Sequence, residues 1–379
     1  MPSRARYSRK VLLGVWIAAL ELQRCLVLGQ GTETDQLKLP SPWVKIFDTH
    51  LWAGYKDNVL LASRNVEESP FIAGGFDVTL FRVPENGWEY LVLGSGEYIR
   101  YLKAEDVDQE ATAILQAQVH KTFGKGWKLG LAGEYIYFNQ VLDATTLPEE
   151  RTSVQVEGHG LTVRPSLSKA IGTKYRVELE FPAARQMFVS LIDDYWEVGP
   201  KVTFGRALPN KSDLAISYQV VERLHDTREA RDWTGVLEPG HGLKFLQQEI
   251  AGTWRWHFDA ERRWRSTMRV SLQRNDDNGG GYYDYTRPQL SEQIRYQRPT
   301  WELRAEARVA YYHYDSQRIA DVNSAVREKT YIRASLRGEK AITKSLKLFG
   351  QYEYERALSN LDFDAYNANT FAAGIDWEF

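Results

Sequence analysis

Between Trp301 and Val309 every second residue carries a charge, and the signs alternate: Glu302, Arg304, Glu306, Arg308. Arg263, Arg265 and Arg269 come before this ladder, and Arg333, Arg337 and Glu353 after it. A spacing of two places such side chains on one face of an extended strand. Guanidinium stays charged at any relevant pH and matches carboxylate or phosphate geometry. Charged rings around an aqueous path set its field, so one chemistry on offer is that of a pore lining. The other is structural, with neighbouring Arg and Glu pairing across strands to fill an interior. The surplus of arginine points to a basic wall and a mild preference for anions.

Other chemistry has less to work with. Seven histidines are scattered, with no H-E-x-x-H spacing, and no G-x-S-x-G occurs. Asp193, Asp194 and the pair His225-Asp226 could be arranged as a catalytic rim, although loop charges are more often simply solvated. Asn275-Asp276-Asp277-Asn278, followed by Gly279-Gly280-Gly281, offers oxygen ligands for Ca²⁺. The same run is equally the composition of a tight turn. The expectation is a protein without catalytic residues, cofactor or metal. With 48 basic and 50 acidic residues, the charge balance gives no case for nucleic acid.

What positions the ladder is a long series of alternating segments. In Tyr175–Phe181, Leu214–Val220, Trp264–Leu272, Trp301–Tyr311 and Leu346–Tyr354, apolar residues occupy one phase and polar residues the other. Period two means strands with one greasy face. Sixteen are expected, near 44–56, 72–83, 88–101, 110–123, 127–140, 153–167, 174–185, 195–205, 212–224, 243–258, 262–274, 283–296, 300–314, 329–339, 345–357 and 367–379; fourteen or eighteen are also compatible. The sixth holds Gly158-His159-Gly160, a candidate bulge. The twelfth places Glu292 on its apolar face.

The connections alternate too. Pro84–Gly87, Gly124–Gly126, Leu208–Lys211, Asp259–Glu261 and Gln297–Pro299 are short. Asp57–Phe71, Leu102–Gln109, Val141–Thr152, His225–Gly242, Asn275–Tyr282, Asp315–Glu328 and Ser359–Tyr366 are mostly longer and polar. Aromatics gather beside the short turns: Trp43, Trp88, Trp127, Trp264 and Trp301 open strands, while Phe81, Phe123, Phe204, Phe258, Tyr296 and Phe379 end them. Rings that are part apolar and part hydrogen-bonding favour the headgroup layer. Short turns on one side, long loops on the other and an aromatic belt describe a closed antiparallel transmembrane β-barrel, an all-β fold. Closure is obligatory, because an unpaired edge in hydrocarbon costs several kcal/mol per group.

The ends of the chain fit. Arg4, Arg6, Arg9 and Lys10 precede an apolar run from Val11 to Leu20, the order of a secretory signal. Residues 1–29 are therefore expected to be a signal peptide, 30–42 a periplasmic lead-in and 43–379 the barrel. The only cysteine, Cys25, lies in the signal, so the mature barrel would have no disulfide. At the other end Phe371, Ala373, Ile375, Trp377 and Phe379 share one phase, and with its terminal aromatic this tail resembles the assembly signal of the closing strand in outer-membrane barrels.

Gly54-Tyr55-Lys56-Asp57-Asn58-Val59-Leu60-Leu61, with the closing strand at Phe379, resembles the β-barrel porins of bacterial outer membranes over residues 43–379. The resemblance implies an outer-membrane location, contact with lipid, recognition of Phe371, Ile375, Trp377 and Phe379 by the barrel-assembly machinery, and a passive channel for small polar solutes. Trimeric porins fold a long third loop into the lumen, whereas here Val141–Thr152 is short. A constriction would come from side chains, from another loop such as His225–Gly242, or be missing. A structural or export barrel for a polymer or surface protein, and an enzyme on the barrel rim, stay open as alternatives; substrate and oligomeric state are left undetermined.

Overall fold

The computed structural model describes residues 42–142, 154–189, 192–320 and 323–379. The expected signal peptide with Cys25, nearly all of the lead-in and most of the third long connection lie outside the described residues.

Each strand pairs antiparallel with the next. They are β1 Trp43–Lys56, β2 Ser69–Glu85, β3 Trp88–Tyr101, β4 Gln109–Phe123, β5 Trp127–Leu142, β6 Val154–Ile171, β7 Tyr175–Glu180 with Ala183–Phe188, and β8 Tyr195–Val198 with Lys201–Ala207. Then come β9 Asp213–Arg231, β10 Leu237–His257, β11 Trp264–Asp277, β12 Tyr285–Gln297, β13 Trp301–Arg318, β14 Val326–Ala341, β15 Leu346–Ser359 and β16 Tyr366–Glu378. The interruptions of β7 and β8 fall at Phe181-Pro182 and Gly199-Pro200, where proline has no N–H for the ladder. Both halves keep one register, Lys201 opposite Glu180 and Ala183 opposite Val198, so the wall has sixteen spans.

The wall closes where β16 pairs with β1, from Asp48 opposite Glu378 to Lys56 opposite Thr370. The Phe379 amide donates to the Phe47 carbonyl at 2.9 Å, which carries the seam to the last residue. Short turns form because their residues suit them. Asn86 and Gly87 both have positive φ, 52° and 77°, the requirement of a two-residue turn that matches strand twist. A Cβ at Gly87 would also press within 2.5 Å of the Thr122 carbonyl oxygen.

The apolar phase faces outward. Leu51, Ile72, Leu115, Leu131, Ile216, Val270 and Leu336 are large, apolar and exposed along the wall. Such a band is stable only against lipid, since burial is worth about 25 cal/mol per Å² of apolar surface. The aromatic collar lies at the short-turn end. Trp264, Tyr296 and Trp301 touch in series, with ring centroids 4.3 and 5.0 Å apart. Lys121 and Lys169 lie over Trp88 and Trp127 at 4.8 and 4.7 Å. Phe81 departs from the expected collar: its register opposite Val44 turns it to the lumen phase. Glu292 does fall on the outer face, opposite Met268, where it accepts a hydrogen bond from Ser266. The bulge expected at Gly158–Gly160 is not formed. Pairing with β5 runs through these residues without a shift, because the glycines admit Phe138 and Ile136 from the neighbouring strand.

At the loop end, strands continue past their expected limits. β9 and β10 reach Arg231 and Leu237, so much of His225–Gly242 is a paired hairpin, with register shifts between Leu224 and Arg231. The first loop folds inward instead. Val59 and Leu61 are buried with Phe71, Tyr101, Val107 and Tyr366, which line the inner wall or its mouth. The Asn58 amide pins the loop by donating to the carbonyls of Ala62 and Asn367, at 2.9 and 3.0 Å.

Candidate pore lining

The register makes the inner face explicit. Arg265 stands opposite Arg295, Arg295 opposite Arg304, and Arg304 opposite Arg337, so one row of four arginines crosses β11 to β14. Toward the loop end a second row runs Arg269, Ser291, Arg308, Arg333. Like charges directly opposite oppose folding, and carboxylates relieve the strain at particular places. Glu302 binds Arg295 at 2.5 Å and Arg304 at 3.1 Å. Arg337 is held by Glu339 at 2.7 Å and Asp376 at 2.8 Å. Arg333 pairs with Glu353 at 2.7 Å, and Arg269 pairs with Glu249. Arg308 donates to Gln289, and Glu306 accepts from Gln293.

Nine of the ten residues singled out as pore-lining thus lie on strands in the inward phase. Arg263 does not. It sits in the turn before β11, bound to Asp259 at 2.8 Å and Glu261 at 2.9 Å. There the Trp264 amide and the Arg263 guanidinium hold the Asp259 carboxyl below its usual range. Glu306 and Arg308 face inward yet are exposed, and Arg333 keeps 52% of its side-chain surface accessible. Among the described residues the lumen is therefore open at their level. The alternation of β12 does not single out Arg295, because Glu292 puts a charge in the apolar phase of that strand. Only its cross-strand register places it between Arg265 and Arg304.

The wall across the closing seam carries the opposite sign. Asp48 faces Asp77 across β1 and β2, and Glu97 follows on β3 in the same phase. His50 bridges Asp77 and Asp376, both at 2.8 Å. The assembly residues Phe371, Trp377 and Phe379 are all more than half exposed on the outer face. Phe379 stacks on Trp377 at 5.2 Å and touches Phe47 at 5.6 Å.

The rim residues do come together. Arg185 binds Asp194 at 3.3 Å and Asp226 at 2.5 Å. Asp193 accepts from the Thr227 hydroxyl and from the amides of Thr227 and Arg228. Burial pushes Asp193 upward, but these donors outweigh it and leave the carboxyl below its ordinary value. In the glycine-rich loop, the Asp277 carboxylate accepts from the amides of Gly279, Gly281 and Tyr283, so the turn itself occupies the oxygens that a cation would need.

No family model matches the chain, and no curated protein is detectably similar. Among solved structures it is similar to OccAB1 of Acinetobacter baumannii, at 10% identity and a TM-score of 0.47, covering 92% of this chain and 99% of that one. It is also similar to OprD of Pseudomonas aeruginosa, at 11% identity and 0.44, covering 88% and 95%. The outer-membrane protein OmpT of Vibrio cholerae gives 12% identity and 0.44, covering 91% and 100%. The closed sixteen-span wall, its apolar outer band and its aromatic collar make the molecule a transmembrane β-barrel.

Proposed function

We propose that the barrel is a passive channel for small polar solutes with a mild preference for anions. The observation that carries this reading is the pair of arginine rows on β11–β14, bordering solvent, with Asp48, Asp77 and Glu97 on the wall beyond the seam. Opposed walls of this kind create a transverse field that sorts solutes by charge and dipole. Carboxylates such as Glu302 and Glu353 offset much of the basic field, so the preference is slight. The barrel is not an enzyme on this reading, since the rim carboxylates are engaged by Arg185, Thr227 and backbone amides. Single-channel recording in a planar bilayer tests it. Discrete conductance steps are expected, with a reversal potential shifted toward the anion under a salt gradient.

The inward packing of Val59 and Leu61 favours a second reading, a closed barrel that assists export or assembly of a polymer or surface protein. Its mark would be well-folded protein that inserts into bilayers and gives no steps.

A further inference from the structure

Above the arginine rows, at the loop end, residues of β8 to β14 line a cavity of about 40 Å³, room for a few water-sized groups. Arg223, His225 and Arg228 line it, with Tyr195, Phe245 and Gln247, and no carboxylate is among its described lining residues. His225 is the notable member. Its side chain is only 4% exposed, and neither ring nitrogen makes a hydrogen bond. The nearest carboxylate, Asp193, stands off at 3.6 Å and is already engaged by Thr227 and the Arg228 amide. Tyr195 and Phe245 clamp the ring, with centroids at 5.3 and 5.5 Å. A buried imidazole without a hydrogen bond is costly to the fold, and such a group signals something still to be bound.

Arg223 has its donors divided. Glu197 takes Nε at 2.8 Å and Nη2 at 2.7 Å, while Tyr195 supports the guanidinium from 4.4 Å. We infer that this cavity binds the oxyanion group of a small solute, a phosphate or a carboxylate, between the Nη1 edge of Arg223 and the Nε2 of His225, with Arg228 adding positive charge to the wall. Nδ1 is turned to Asp193, so Nε2 is the nitrogen left for the ligand. Clamping by Tyr195 and Phe245 fixes the ring before the anion arrives, which lowers the ordering cost of binding. The site lies at the mouth, away from both arginine rows, and would select solutes before they reach the lumen.

The test is calorimetric titration of the full barrel in detergent micelles with inorganic phosphate and, separately, with acetate. It needs no conduction, so its outcome is independent of the channel reading. Saturable binding in about the millimolar range is expected, weakened about tenfold in His225→Ala and in Arg223→Gln. Acetate displacing phosphate at similar concentration identifies a carboxylate-reading site; phosphate alone saturating identifies a phosphate-reading one. Heat-modifiable migration checks that each variant is folded. If Arg223→Gln fails to fold, His225→Gln and Gln247→Leu, which keep the packing, take its place. Absence of saturation by either ion overturns the site, as does unchanged affinity in the folded variants.

Discussion

His50 Nδ1 lies 2.8 Å from Asp376 Oδ1, and this one contact joins the first strand to the last across 326 residues of sequence. Nε2 of the same ring reaches Asp77 on β2, and Asp376 turns its other oxygen to Arg337 on β14. A chain of four side chains therefore crosses the closing seam on the lumen side. Hydrogen bonds that include a charged group contribute about 1.5–3 kcal/mol each when partly buried. His50→Ala removes two such bonds and should lower the unfolding free energy, read from the urea midpoint, by about the worth of one to two of them. Asp376→Asn, which keeps one acceptor, should lower it less. Equal midpoints for wild type and His50→Ala would show that the backbone ladder of β1 and β16 alone holds the seam.

The arginine rows predict a selectivity change. Arg265→Glu with Arg269→Glu reverses two charges, one in each row. Both face the lumen, opposite Arg295 and Ser291. The reversal potential under a salt gradient should move toward cations, and the shift should shrink as ionic strength rises, because screening acts within about 8 Å at physiological salt. Arg263→Glu, in the turn and tied to Asp259 and Glu261, should move it much less. An unchanged potential in the double variant would mean these charges do not border the conducting path.

The first loop should limit conductance. Val59 is fully buried among Leu61, Phe71 and Tyr366. Val59→Asp places a charge there without a partner, which costs several kcal/mol and should expel the loop from the mouth. Larger single-channel steps are expected, with migration of the folded barrel on gels unchanged. Steps of wild-type size from a folded Val59→Asp barrel would mean the loop does not obstruct the path.

The strand count, closing pair and outer band were legible in the sequence because a bilayer forces each strand to keep one apolar face. That constraint ends at the membrane surface. Beyond Leu224 and before Phe245 neither face meets lipid, so the alternation fades, yet backbone pairing continues to Arg231 and from Leu237. The inward fold of Asn58–Leu61 was present only as an apolar run in an otherwise polar loop, and its partners Tyr101 and Tyr366 lie far away in sequence. The cavity at His225 depends on register between Tyr195, His225 and Phe245, three residues from three strands, and periodicity does not report register.

Asp284 supplies a pH dependence outside the membrane-spanning strands. Burial, with repulsion from Asp277, raises its carboxyl to about 6, against the pull of the Asp277 amide and Arg274. A raised folded value means that the folded loop favours the protonated form. The stabilisation is full below the ordinary carboxylate range near 3.8 and is lost as pH rises through about 6. Proteolysis of the 277–285 loop should therefore be several-fold slower at pH 5 than at pH 7, after correction for protease activity on an unfolded substrate. Asp284→Asn, neutral throughout, should remove most of that difference. A wild-type loop equally resistant at both pH values would contradict the assignment.

The last residue should matter more for assembly than for stability. Phe379 is 54% exposed, stacks on Trp377 and donates its amide to Phe47. Its half-covered ring and one hydrogen bond contribute a few kcal/mol at most. Strands β1 and β16 still pair from Asp48 to Lys56 without it. A chain ending at Glu378 should accordingly refold in detergent with nearly the wild-type midpoint. We propose that recognition by the barrel-assembly machinery requires the terminal aromatic together with Phe371, Ile375 and Trp377 on the same outer phase. In cells the shortened chain should then reach the membrane at a small fraction of wild-type level, and Phe379→Tyr should restore most of it. Measuring membrane-inserted protein beside the refolding midpoint separates the two roles. Normal insertion of the shortened chain would leave Phe379 with packing alone.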